Sequence, residues 1–199
     1  PGLKHHGINT NDIDAIVISH FHGDHYGGIP FLLLDAAIYG RAKKIQIISP
    51  PGGEQRISTL LDLLYPGTSV LEKLNVEFLE YCAGKVSLVE HFSVEAFEVI
   101  HAEKALPHGV RIEIEGKVIA YSGDTSWTDT LMPLSDGADL FICECNFFST
   151  KVKGHMNYLE LEKKLSEFSC KRILLTHFDQ EMLDRLKPGY LTDGMEIML

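Results

Sequence analysis

Apolar positions along the chain recur with two different periods. Short runs rich in Ile, Val, Leu and Phe, with alternating or continuous apolar character, predict strands at 13–19 (IDAIVIS), 44–49 (KIQIIS), 75–81 (NVEFLEY), 86–90, 94–101 (VEAFEVIH), 109–115, 117–122 (KVIAYS), 139–145 (DLFICEC) and 171–176 (KRILLT). Between them, helical patterns are expected at 29–39, 53–65, 128–135, 157–168 and 179–186. Punctuation supports this division. The glycines at 27 and 28 read as a loop, EGK at 115–117 turns a hairpin, and Asn157 before YLELEKKL is placed as a helix N-cap. Strands interleaved with helices, without repeats or a Pro/Gly-rich linker, predict a single α/β domain over residues 1–199.

Composition narrows the class of partner. Of 199 residues, 45% are hydrophobic and 23% charged, which suits one globular core. The longest apolar stretch, IPFLLLDAAIYG, is interrupted by Asp35 and Gly40 and falls short of the ~20 residues that span a membrane. A formal net charge of −10, with basic clusters only at 42–44 (AKK) and 151–153 (KVK), disfavours a grip on long tRNA or DNA. Cys82, Cys143, Cys145 and Cys170 show no C-x-x-C spacing, so reduced thiols and a cytoplasmic location are expected; Cys143 and Cys145 flank Glu144 in a strand and read as small core residues.

The polar motifs fall at or just beyond predicted strand ends. SHFHGDHYGG (19–28) follows IDAIVIS, His101 closes VEAFEVIH, SGDT (122–125) follows KVIAY, and THFD (176–179) follows KRILL. A lone His beyond a strand is ordinarily a satisfied surface residue, but four such stops in one chain suggest convergence. His20 and His22 are two apart and point the same way in an extended segment, and Gly23 lets the chain bend before Asp24 and His25. Neutral imidazole and carboxylate are preferred ligands of zinc and similar divalent ions, and a carboxylate such as Asp124 can serve two cations where a neutral imidazole cannot. His5, His6 and His91 lack any partner motif and are assigned to the surface.

His20, His22, Asp24 and His25 spell H-x-H-x-D-H, and with His101, Asp124 and His177 they resemble the metallo-β-lactamase superfamily. DIDAIVISHFHGDHYGGIP, KVIAYSGDT and RILLTHF look most like its ribonuclease Z-like branch, and the resemblance runs over essentially the whole chain. It implies a four-layer αββα sandwich and two Zn(2+) ions, with Mn or Fe open as alternatives. His20, His22 and His101 would hold one ion and Asp24, His25 and His177 the other, with Asp124 bridging. His108 in LPHGVRI is the rival to His101, which is preferred because it ends the preceding strand. Glu144 and His155 match a Glu/His pair thought to act near the scissile phosphate in the resembling enzymes, so the expected catalytic residues are Asp24, His155 and Glu144.

Two departures from the family pattern shape the expectation. Only PGLKHHGINTNDIDA, read as a helix end and its exit loop, precedes the first motif, where the superfamily ordinarily opens with strands and a glycine-bearing turn; the N-terminal strands are therefore expected to be missing from this chain. The interval from His101 to Asp124 holds only the hairpin VRIEIEGKVIAYS, too short for the long arm with which tRNA-processing enzymes of this branch grip tRNA. The resemblance then implies a dinuclear metal hydrolase, foremost a phosphodiesterase on a small or short single-stranded substrate, in which the ions activate water as hydroxide. Carboxylic ester, lactone or thioester hydrolysis on the same site is the alternative, and a non-catalytic metal-binding regulatory domain is a third reading. A flavodiiron-type redox function is set aside because that branch carries a glutamate where His22 stands. A homodimer covering the helix at 29–39 is the expected assembly.

Overall fold

The computed structural model describes residues 2–185 and 190–199. The chain gathers into two compact units, Pro1–Tyr81 and Cys82–Leu199. The first holds α1 (Gly2–His5), β1 (Ala15–Val17), α2 (Gly23–Tyr26), α3 (Ile29–Ile38), β2 (Ile45–Ser49), α4 (Gly53–Leu64) and β3 (Val76–Glu80), with 3-10 turns at Thr10–Asp12 and Leu71–Lys73. Its three strands are parallel in the order β1-β2-β3, so each step needs a crossover, which the α3 and α4 segments supply. All five residues of the central strand β2 are buried; Ile45 and Ile47 lie on one face and Ile48 on the other, while the polar Gln46 and Ser49 donate to Glu77 and to the Pro50 carbonyl. Pro30 stands in the first turn of α3, where a missing N–H costs nothing. Gly53 opens α4 so close to β2 that a Cβ there would lie 2.0 Å from Ser49 Oγ.

Two buried side chains brace this unit. Arg41 is 5% exposed and donates to four backbone carbonyls, those of Thr10, Ile13, Lys43 and Lys44. Tyr81 is fully buried and donates its hydroxyl to the Ile18 carbonyl at 2.7 Å. Burial pushes the Tyr81 phenol far above its ordinary value, so this donor keeps its proton throughout the working range.

In the second unit, β4 (Val86–Val89), β5 (Phe92–Glu98), β6 (His108–Ile114), β7 (Lys117–Tyr121), β8 (Leu140–Glu144) and β9 (Ile173–Thr176) form one sheet in sequence order. Pairing is antiparallel from β4 to β7 and parallel from β7 to β9. The β6–β7 turn has two residues, Glu115 and Gly116, both at positive φ, the conformation that matches strand twist in a tight hairpin. Parallel steps need connections, and these carry α5 (Leu131–Ser135) between β7 and β8 and α6 (Tyr158–Leu161) with a 3-10 turn (Leu165–Glu167) between β8 and β9. Beyond β9 lies α7 (Gln180–Asp184). Ala120, Phe141, Cys143, Cys145, Met156, Leu161 and Met182 belong to one buried apolar cluster.

Each of the nine predicted strands has a counterpart, while the helices differ at their ends. Pro133, in the first turn of α5, is tolerated only near a helix start, and the helix begins at Leu131 rather than at 128. The pattern over 157–168 is divided because Lys164 N–H turns to the Leu161 carbonyl three residues back, tightening the chain into a 3-10 turn. β5 ends at Glu98, so His101 stands in the loop beyond it rather than closing the strand. Leu186, the end of the last predicted helix, lies outside the described residues. No helix among the described residues is long and apolar enough to cross a membrane.

Candidate metal centre

Within the first unit, pairing continues past β1 as Ile18 N–H donates to the Ile48 carbonyl at 2.8 Å, and Tyr81 holds the Ile18 carbonyl. The chain is thus pinned immediately before Ser19 and His20, both buried. His20 Nδ1 lies 3.1 Å from Ser19 Oγ. The His22 ring stands nearly perpendicular to that of His20, with centroids 4.9 Å apart. His22 then caps α2, whose single turn brings the His25 ring to 4.0 Å from His20, with His25 Nε2 3.4 Å from Asp24 Oδ2. Asp24 and His25 therefore sit on a helical turn, which four residues are too few to announce as a period.

Within the second unit, two imidazoles approach one carboxylate oxygen. His101 Nε2 is 3.8 Å and His177 Nε2 3.4 Å from Asp124 Oδ2, and Asp124 is 2% exposed. Thr125 couples the loop of His101 to the turn of Asp124, because its hydroxyl accepts from Ile100 N–H at 3.0 Å while Ser126 N–H donates back to the Ile100 carbonyl at 2.9 Å. The other ring nitrogen of His101, Nδ1, meets the Gly154 carbonyl at 2.7 Å. Gly154 N–H in turn donates to Ser126 Oγ at 2.8 Å. His108, the rival, begins β6 and turns Nδ1 to the Leu106 carbonyl at 2.9 Å.

Glu144 ends β8 and is completely buried. Its Oε1 accepts from Thr125 N–H at 3.0 Å and lies 2.9 Å from His155 Nδ1. Its Oε2 accepts from Asn146 N–H at 3.0 Å and Met156 N–H at 3.3 Å. One carboxylate thereby ties together the turn after Asp124, the end of β8 and the loop of His155. The His155 ring lies parallel to that of His177 at 5.5 Å and edge-on to that of His101 at 4.8 Å. Asn157 caps α6, accepting from Glu160 N–H at 3.1 Å, and so fixes where the His155 loop ends. Sequence reasoning missed Asn146, whose amide lies 2.7 Å from His177 Nδ1. No local motif marks it; only the β8–β9 register, which pairs Glu144 with Thr176, puts the two residues side by side.

The donors present fit a zinc-type ion. In His20, His101 and His177 a polar group contacts Nδ1, the arrangement by which ligating histidines have their other ring nitrogen oriented. Among the described residues, no cysteine belongs to a group of side chains placed to hold an ion. Burial raises the Cys143 thiol well above its ordinary value and that of Cys145 to about 12, and both belong to the apolar cluster.

Comparison with known proteins places this arrangement in a family. "Probable metallo-hydrolase YhfI" of Bacillus subtilis is 28% identical over 176 residues, which cover 85% of this chain and 68% of that protein. The crystal structure of YhfI, a metallo-β-lactamase fold protein, matches at a TM-score of 0.69 with 26% identity over 86% of this chain and 67% of that one. A ribonuclease Z of Agathobacter rectalis is 26% identical over 91% of this chain and 75% of its own length. Human short-form tRNase Z shares the fold at a TM-score of 0.73 and 23% identity, over 97% of this chain and 82% of that one. A protein-family model described as Anti-Pycsar protein Apyc1 matches residues 1–192, and the chain accordingly belongs to that family, on the ribonuclease Z-like branch of the metallo-β-lactamase superfamily.

Proposed function

We propose that this metal-dependent hydrolase uses two divalent ions, zinc foremost, to hydrolyse a phosphodiester of modest size, either a small molecule or a short single strand. The observation that carries the reading is the approach of His101 and His177 Nε2 to the same oxygen of Asp124, with the Glu144–His155 pair alongside. Following the resemblance, His20, His22 and His101 would hold one ion and Asp24, His25 and His177 the second, with Asp124 serving both. When bound, such ions polarise a phosphoryl oxygen and lower the pKa of water. Asp24 and Asp124 would orient the attacking water. Glu144 accepts from His155 Nδ1–H, so the doubly protonated ring would give its Nε2 proton to the leaving oxygen and return to the neutral form; the fully buried Glu144 acts through His155.

Support for a phosphodiester comes from the ribonuclease Z relatives and from the Glu144–His155 pair. A small substrate is favoured over long tRNA because only a 3-10 turn and the tight β6–β7 hairpin lie between His101 and Asp124, and because the net charge is −10. A homodimer over α3, on which Phe31 and Ile38 are exposed, and a cytoplasmic location complete the reading. Metal content by mass spectrometry, with hydrolysis of bis(p-nitrophenyl) phosphate before and after chelation, tests it. About two ions per chain with chelator-sensitive turnover support the proposal. Two ions without turnover on phosphodiesters redirect it to esters or thioesters, and no ion under metal-replete conditions sinks it. A monomer by size exclusion at high concentration removes the dimer.

A further inference from the structure

Asn146 reaches the site through pairing of the backbone rather than through a metal-type motif. Beyond β8 the chain keeps alongside the end of β9, as Cys145 N–H donates to the Thr176 carbonyl at 2.9 Å and Asp179 N–H donates to the Asn146 carbonyl at 2.8 Å. Asn146 N–H donates to Glu144 Oε2 at 3.0 Å, so both of its backbone groups are held. Beside it, His177 adopts φ +62, a left-handed conformation uncommon outside glycine that turns it from the course of the strand. The Asn146 amide nitrogen is 2.7 Å from His177 Nδ1, and Nε2 of the same ring is 3.4 Å from Asp124 Oδ2.

We propose that Asn146 is a positioning residue that sets the ring orientation and tautomer with which His177 offers Nε2 to a divalent metal ion. The inference rests on the reading above that His177 is a ligand. A ligating Nε2 presents its lone pair, so the proton of the neutral ring sits on Nδ1 and needs an acceptor. A primary amide carries oxygen and nitrogen on matching arms, and a half-turn of its plane exchanges them without changing its reach. Asn146 can therefore set its oxygen on Nδ1–H from the position it occupies. The Glu144 carboxylate does not replace it, since its oxygens already meet Thr125, His155, Asn146 and Met156. An aspartate at position 146 presents oxygen on both arms and should serve, whereas a hydrocarbon of similar size cannot.

The test compares full-length wild type with Asn146→Leu, Asn146→Ala, Asn146→Asp and His177→Ala, each confirmed as folded by circular dichroism. Zinc affinity and stoichiometry are read by competition with a chromophoric chelator, and the visible band of the cobalt-substituted protein reports ligand geometry. Asn146→Leu should bind the ion assigned to His177 about 10–100-fold less tightly, with a shifted cobalt band, while Asn146→Asp stays close to wild type. Asn146→Ala removes the amide without adding bulk and carries the same expectation, which covers a Leu variant that does not fold. Wild-type affinity and an unchanged band in the apolar variants overturn the proposal, provided that His177→Ala loses an ion. Loss of metal from Asn146→Asp as large as from Asn146→Leu overturns it too. Retention of both ions by His177→Ala instead refutes the ligand assignment beneath it, and the proposal with it.

Discussion

Gly154 shows how narrowly a single residue can be constrained near the site. It adopts φ +89, and a Cβ there would stand 2.7 Å from His101 Nδ1. Alanine would be strained in the backbone and would push away the ring whose Nδ1 meets the Gly154 carbonyl. Gly154→Ala is therefore expected to lower metal affinity and turnover by roughly 10–100-fold while leaving the thermal midpoint within a few degrees of wild type, as measured by chelator competition and melting. Tyr81 acts on the other unit. Tyr81→Phe leaves the Ile18 carbonyl without this donor at the entrance to the H-x-H-x-D-H loop, and a loss of about 1 kcal/mol in urea unfolding is expected. Because the phenol of Tyr81 is raised far above its ordinary value, that loss should be the same at pH 6 and pH 9; a difference between them would count against the assignment.

Among the elements, the parallel part of the second sheet carries a pH-dependent tie. Asp139, just before β8, receives Lys171 Nζ on Oδ1 at 2.7 Å and Val118 N–H on Oδ2 at 2.9 Å, linking the beginnings of β7, β8 and β9. The Lys171 hydrogen bond above all, with Val118 N–H and the charges of Lys171 and Lys117 adding to it, holds the Asp139 carboxyl below its ordinary value against the opposing effect of burial. A depressed carboxyl contributes stability that is present above its unfolded value of ~3.9 and is lost as pH falls through the folded value. Asp139→Asn should accordingly melt below wild type at pH 7 and pH 5, with the gap closing as pH drops under about 4. A gap that does not change with pH would show that the ion pair is not its source.

At the level of the whole molecule, the reading of residues 1–199 as a single domain is a proposal, and it can be tested together with the metal ions. One calorimetric transition, with calorimetric and van't Hoff enthalpies equal, is the expected result; two separate transitions would mean that the units Pro1–Tyr81 and Cys82–Leu199 unfold independently. An ion that binds the native chain and not the unfolded one raises the midpoint by mass action. Excess zinc should thus raise the melting temperature of chelator-treated protein, and magnesium, which suits octahedral oxygen ligation, should raise it less. Equal effects of the two ions would argue against a histidine-rich site.

The α/β class, the strand positions and the metal-type residues at strand ends could be read from the chain because they are local. A strand declares itself by a few consecutive apolar residues, as Leu140 to Cys143 do in β8, and H-x-H-x-D-H lies within six positions. The same locality explains where the reading stopped. α2 is a single turn with no period to detect, α6 stops where one N–H bonds three residues back instead of four, and β5 ends before His101. The strand end that favours His101 over His108 in the sequence falls short of it, since β5 stops at Glu98; the folded second unit puts the first ring near Asp124 and turns the second to the Leu106 carbonyl. Likewise Glu144 gathers amides from two separate connections, those after β7 and after β8, and Asn146 meets His177 across 31 positions of sequence. Pairing between strands far apart in the chain depends on register and close packing, which a sequence pattern encodes only collectively, so these contacts emerge only when the sheet has formed.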